Sequence, residues 1–243
     1  MIKERLKIFR DKIGKENKEI GGFLVTNLKN LNYLSGFDGE GFALITNNKN
    51  YLLTDSRYTE QAQKESPDFN ILTDEPNKKN ARILSLKKIL VKSKIKKIAF
   101  ECNNLSYADF KKYSESFESI EFLPTENIVE QIRMIKDKEE IIKIKKAAQI
   151  TTESLKDVFE MIEPGVRELD IASELAYTMR KKGAQKESFD IIVVSGERSS
   201  LIHGKPSEKK IVEGELFVPY FLANSTASLI DTLLGIFFKY NIS

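Results

Sequence analysis

Short apolar runs separated by amphipathic stretches dominate the first half of the chain. Gly22 to Val25, Gly41 to Thr46, Tyr51 to Thr54, Phe69 to Leu72, Lys97 to Glu101 and Ile120 to Leu123 have the length and β-branched or aromatic content of strands. Asn47, Asn48, Lys49 and Asn50, between the second and third, suit a hairpin turn. Helical patterns fall between the later strands. One is expected to start at Asp55 or Ser56, whose short oxygen side chains can cap the first amides, and another over Ala81 to Val91. Strands alternating with helices predict a single α/β domain over residues 1–125, a mixed sheet with flanking helices.

From Glu126 the pattern turns helical. Asp137 and Glu140 have the spacing of a capping box, and Ile141, Ile144, Ala148, Leu155, Val158 and Phe159 recur at helical intervals, so a long helix is expected over Asp137 to Ile162, ended by Pro164 and Gly165. A second helix runs from about Glu168 to Lys182 and stops at Gly183. A strand at Asp190 to Val194 and a Gly-rich loop follow, so residues 126–243 read as the beginning of a second domain.

Composition narrows the function classes. Among 243 residues, 41% hydrophobic content suffices for real cores, and 39 basic against 36 acidic residues leave a net charge of only +3, which gives no reason to invoke nucleic acid. The single Cys102 excludes an internal disulfide, and Met1 to Gly14 is charged and amphipathic rather than a signal peptide, so a cytoplasmic location is expected. Leu216 to Phe238 carries one charge, Asp231, and approaches a membrane span in length. A span would have to bury Pro219, Asn224 and Asp231, and no membrane anchor is expected.

Four segments, in order, carry a resemblance: NYLSGFDGEGFALIT at 32–46 with LTDSRYTEQA at 53–62; RMIKDKEEIIKIKKAA at 133–148; PGVRELDIASEL at 164–175; and SFDIIVVSGERSSLIHGKP at 188–206. Together they resemble the creatinase, prolidase and Xaa-Pro aminopeptidase family, the pita-bread metallopeptidases. The resemblance implies a creatinase-like N-terminal domain followed by an incomplete α+β pita-bread domain. It also implies a homodimer acting on a peptide with proline in second position, and two divalent metals such as manganese in the intact family.

His203, the only histidine, stands between Gly196 and Gly204, where the family's His-Gly pair contacts substrate or passes protons, a task suited to an imidazole. The residue before it is Ile202 where the family has proline. The family's metal ligands are two Asp, a further His and two Glu, all beyond the segment matching His203. Here that stretch holds no histidine and only Glu208, Glu213, Glu215 and Asp231 as acids. The first ligand position falls on Tyr220. The second falls on Asp231, a weak candidate read as coincidence because a lone carboxylate does not make a metal site. This chain is therefore expected to bind no metal and to lack activity. The motif match fades after about Leu216, which suggests a truncated or frameshifted fragment; the alternative is a non-catalytic dimerisation or binding module. Arg57 and Tyr58 read as a helix start rather than a ligand site, Asp190 as a solvated strand edge, and the loop Ser35 to Gly41 as a low-grade candidate that in the family can reach a neighbouring active site.

Overall fold

A computed structural model describes residues 1–74, 81–224 and 240–241. The chain divides into two compact units, Met1–Ile135 and Lys136–Ser243.

The first unit is built on a six-stranded mixed sheet. Its strands are β1 (Gly22–Val25), β2 (Gly41–Thr46), β3 (Asn50–Asp55), β4 (Asn70–Asp74), β5 (Lys97–Glu101) and β6 (Glu121–Thr125), in the order β4-β3-β2-β1-β5-β6. The β1-β2 and β2-β3 pairs are antiparallel, while β3-β4, β1-β5 and β5-β6 are parallel. Every residue of β1 is buried, because helices cover both faces of the central strands and a continuous apolar run replaces alternation there.

Helices α1 (Ile2–Glu16), α2 (Leu28–Ser35) and α6 (Ile128–Arg133) enclose one core with Phe23, Val25, Ala43, Ile45 and Ala99. On α1 the residues Leu6, Phe9 and Ile13 recur at helical spacing and all face that core. Phe9 meets Phe23 edge to face, with ring centroids 5.1 Å apart. The opposite core joins Leu24, Phe42, Leu44, Leu53, Ile98 and Phe100 to α4 (Ala81–Lys92) and to Phe117, at the end of α5 (Tyr107–Ser116). Alternate residues of one strand thus serve different cores.

Two boundaries differ from the sequence reading. The first unit extends to Ile135, because Ile128 and Val129 of α6 lie in the same core as Leu6 and Phe9, so the helical pattern after Glu126 does not begin the second unit. The helix expected to start at Asp55 or Ser56 begins instead at Thr59, as α3 (Thr59–Glu65). Asp55 is kept in β3 by its pairing with Asp74, and its carbonyl accepts from the Tyr58 amide and the Thr59 hydroxyl, closing a turn ahead of the helix.

In the second unit α7 (Lys138–Phe159) starts at a complete capping box: the Asp137 carboxylate accepts from the Glu140 amide at 2.9 Å and the Glu140 carboxylate from the Asp137 amide at 3.0 Å. Only its C-terminal half buries the expected stripe. Ile150, Leu155 and Val158 pack with Ile171, Leu175 and Met179 of α8 (Glu168–Lys181) and with Val193, Phe217 and Phe221, whereas Ile141, Ile142 and Phe159 are exposed. Two small antiparallel sheets complete the unit. One joins β7 (Lys186–Glu187) to β10 (Ala223–Asn224); the other has the order β11-β9-β8, from β8 (Ile192–Ser195), β9 (Leu216–Tyr220) and β11 (Tyr240–Asn241). Leu216 to Tyr220 is therefore strand, and no described helix is long and apolar enough to cross a membrane.

Candidate functional site

The loop that carries His203 leaves β8, forms a 3-10 turn over Gly196–Ser200, passes through His203 and Gly204, and returns beside the start of α8. Its return strand is fixed by backbone bonds. The Glu168 amide donates to the Lys209 carbonyl at 3.0 Å, the Leu169 amide to Ser207 at 3.2 Å, and the Gly165 amide to Ile211 at 2.8 Å. The first amides of α8, which no side chain caps at Arg167, are satisfied by this neighbouring segment.

Leu201, Ile202 and His203 form an exposed tip, with Ile202 83% accessible. Gly204 behind them is buried. A Cβ there would stand 2.6 Å from Val194 Cγ1 and 3.0 Å from Leu201 Cβ, closer than van der Waals contact allows, so only glycine lets the backbone approach β8 and hold the preceding imidazole outward.

Beneath the tip lies a charged network that sequence reasoning did not find. Glu168, in the first turn of α8, is fully buried. Its Oε1 accepts from the Ser195 amide at 2.8 Å and hydroxyl at 3.0 Å. Its Oε2 accepts from Arg198 Nε at 3.2 Å, from the Ser207 amide at 3.1 Å and from the Ser207 hydroxyl at 2.7 Å. Arg198 in turn donates from Nη2 to the Lys205 carbonyl at 2.6 Å. Lys209 donates to the Ser195 hydroxyl at 3.0 Å and pairs with Glu215, whose carboxyl its ammonium holds below the ordinary range. The donors to Glu168 come from positions 27 to 39 residues further along the chain, and helix or strand periodicity carries no trace of them.

The other sequence candidates lie elsewhere. Arg57 forks onto Asp55, with Nη2 to Oδ2 at 2.7 Å, reaches Glu40 at 3.2 Å and lies over the Tyr58 ring; its hydrogen bond and charge contact with Asp55, with Glu40 adding, hold its pKa above the ordinary value. Tyr58 also meets Phe37 of the Ser35–Gly41 loop edge to face at 6.2 Å, so those candidates share one surface of the first unit, while His203 belongs to the second. Asp190 is exposed. Asp231 lies outside the described residues.

A divalent metal pair would need several hard oxygen ligands converging on one point. At Tyr220, where the resemblance puts the first ligand, the ring stacks on Phe189 with centroids 4.7 Å apart, so an aromatic pair stands where a hard cation would need carboxylate oxygen. Among the described residues no group of three or more His, Cys, Asp or Glu side chains could hold a metal ion. The described residues do not fit the group.

Comparison with known proteins places these units in context. A family profile described as the Creatinase/Prolidase N-terminal domain matches residues 5–135, and one described as Metallopeptidase family M24 matches residues 142–226, past the point where the motif resemblance fades. An uncharacterised peptidase of Bacillus subtilis, YqhT, is 37% identical over 199 residues, 81% of this chain and 55% of that protein. A Pyrococcus horikoshii Xaa-Pro dipeptidase is 30% identical over 205 residues, 84% of this chain and 56% of that protein. Among solved structures, an Xaa-Pro dipeptidase from Bacillus anthracis superimposes with a TM-score of 0.83 at 35% identity, covering 92% of this chain and 61% of the other. An X-Pro aminopeptidase from Thermotoga maritima gives 0.78 at 40% identity, covering 85% and 59%. The chain thus spans a little over half the length of these relatives.

Proposed function

Because the chain belongs to the creatinase/prolidase family of metallopeptidases, we propose that its second unit presents the substrate-side histidine loop of an Xaa-Pro peptidase. The ligand is a peptide with proline in second position, and His203 is the group that meets it, by hydrogen bonding or proton transfer. The observation that carries this reading is the arrangement at 203–204: an exposed imidazole on a backbone that Gly204 seats against Val194.

The family's reaction is metal-dependent, the bound ions lowering the pKa of water and stabilising charge on the scissile group. The aromatic pair Phe189 and Tyr220 supports a chain that contacts substrate without hydrolysing it. A cytoplasmic location belongs to the same reading. A second reading is an assembly module that forms a homodimer through the first unit, which carries its own six-stranded sheet with helices packed on both faces.

The test uses the purified chain with added manganese and an Xaa-Pro dipeptide. No amino acid should be released, while the ring resonance of the single histidine should shift as the dipeptide is titrated in. Release of amino acid would overturn the non-catalytic part of the proposal, and an unmoved resonance the ligand-binding part. A dimer by light scattering in the same sample, with no dipeptide response, would favour the assembly module.

A further inference from the structure

The His203 tip is exposed, yet the residues on either side of it converge on one buried carboxylate. We propose that Glu168 and Arg198 form a positioning pair for the His203–Gly204 turn, setting the direction in which the imidazole is offered to a ligand.

The geometry is a relay of three links. Glu168 gathers the end of β8 through the Ser195 amide and hydroxyl, and the loop's return through the Ser207 amide and hydroxyl. Its Oε2 orients Arg198 through Nε at 3.2 Å. The far side of that guanidinium donates to the Lys205 carbonyl at 2.6 Å, two residues after His203. The turn is thus pinned on one side by Gly204 against Val194 and on the other by Arg198 on Lys205.

The residue types fit the task. A guanidinium presents donors in a rigid planar fork, so one side can fix on a carboxylate while the other fixes a carbonyl at a set angle; a lysine carries its donors on one freely rotating nitrogen and imposes no such angle between two acceptors. The carboxylate has no exposed surface, whereas Arg198 retains 32%, so the pair is anchored at the buried end and reaches outward to the loop. Five hydrogen bonds to one carboxylate exceed what holding a helix start requires, since backbone carbonyls of 207 and 209 already satisfy the first amides of α8. The excess is directed at the loop.

This inference rests on the proposed role of the His203 loop. Its test reads loop order rather than turnover, so a chain without peptidase activity leaves it standing. Glu168→Gln and Arg198→Lys are made in the full chain, and two quantities are followed by NMR: the ring resonance of the only histidine, and hydrogen exchange at 201–205 compared with the β8 amides of 192–194. Each variant should move the histidine resonance. Exchange in the loop should quicken about tenfold or more relative to β8, the ratio one charge-assisted hydrogen bond commands. An unmoved histidine resonance with unchanged loop exchange in a folded variant overturns the proposal. So does an equal acceleration in loop and strand, which would make the pair a general stabiliser. Should Glu168→Gln not fold, Arg198→Lys decides alone, because it keeps the positive charge beside the carboxylate and removes only the fork.

Discussion

Each unit of this protein holds a buried carboxylate that gathers donors from several segments, Glu101 in the first and Glu168 in the second, and the two are satisfied by different chemistry. Glu101, at the end of β5, accepts from the Thr26 amide at 2.6 Å, the Asn27 amide at 2.7 Å and the Asn30 side chain at 2.7 Å. Asn30 also donates to Glu130 and accepts from Arg133, which ties α2 to α6. Glu168 in the second unit takes a guanidinium among its five donors. Burial raises the Glu101 pKa above its ordinary value, with its amide donors opposing and the nearby Glu130 adding to the rise. A carboxylate held by neutral amides locks a fold, whereas one held by an arginine can also aim what that arginine touches. The difference separates a structural hub from one beside a candidate site.

The contrast can be broken by truncating both acids. Glu168→Ala leaves the Ser195 and Ser207 donors and the Arg198 charge without their acceptor, and should destabilise the second unit by roughly 3–5 kcal/mol. Glu101→Ala strands uncharged donors only and should cost the first unit about 1–3 kcal/mol. Urea denaturation followed by residue-resolved hydrogen exchange separates the two, and equal losses would dissolve the distinction.

Gly204→Ala is a narrower probe. The added methyl meets Val194 and Leu201 inside contact distance, so overpacking should cost about 1–3 kcal/mol and displace the histidine tip, read as a shift of the ring resonance. An unperturbed resonance and midpoint would show that the loop can relax away from β8.

The smallest effect is in pH dependence. Glu101 titrates above its ordinary 4.5 in the folded unit, so protonation favours folding; its contribution is full below that value and is lost as the pH rises through the folded pKa. Glu215 is shifted downward by Lys209, so its contribution is present above the ordinary value and is lost as the pH falls through the folded one. Glu101→Gln should therefore flatten the pH dependence of first-unit stability from the ordinary carboxylate range upward and leave that of the second unit unaltered. A profile unchanged in both units would remove Glu101 from the account.

Much of this framework could be read from local pattern. The seven strands anticipated in the two halves lie within two residues of their observed ends, and the capping box at Asp137 and Glu140 is complete, because both depend on residues close in sequence. Helix α2 is absent from the sequence reading, although Leu28, Leu31 and Leu34 recur at helical spacing and the Asn27 side chain caps the Lys29 and Asn30 amides; eight residues give periodicity little room to register, and the last four belong to the motif that begins at Asn32. Of the expected α7 stripe Leu155 and Val158 are buried, Ile144 and Ala148 half-buried, and Ile141 and Phe159 exposed, since periodicity tells which residues share a face but not how far along the helix a partner extends. His203 could be singled out from its neighbours in sequence. The Glu168 network could not, because Ser195, Arg198 and Ser207 meet it only after α8 and β8 have packed.

The meeting of the first and last helices of the first unit bears on how the chain is made. Leu6 and Phe9 share their core with Val129, so the amino-terminal helix packs against a segment synthesised about 120 residues later. A nascent chain emerging from the ribosome can form the hairpin of β2 and β3 early, but it leaves the apolar side of its own beginning unsealed until α6 has cleared the exit tunnel.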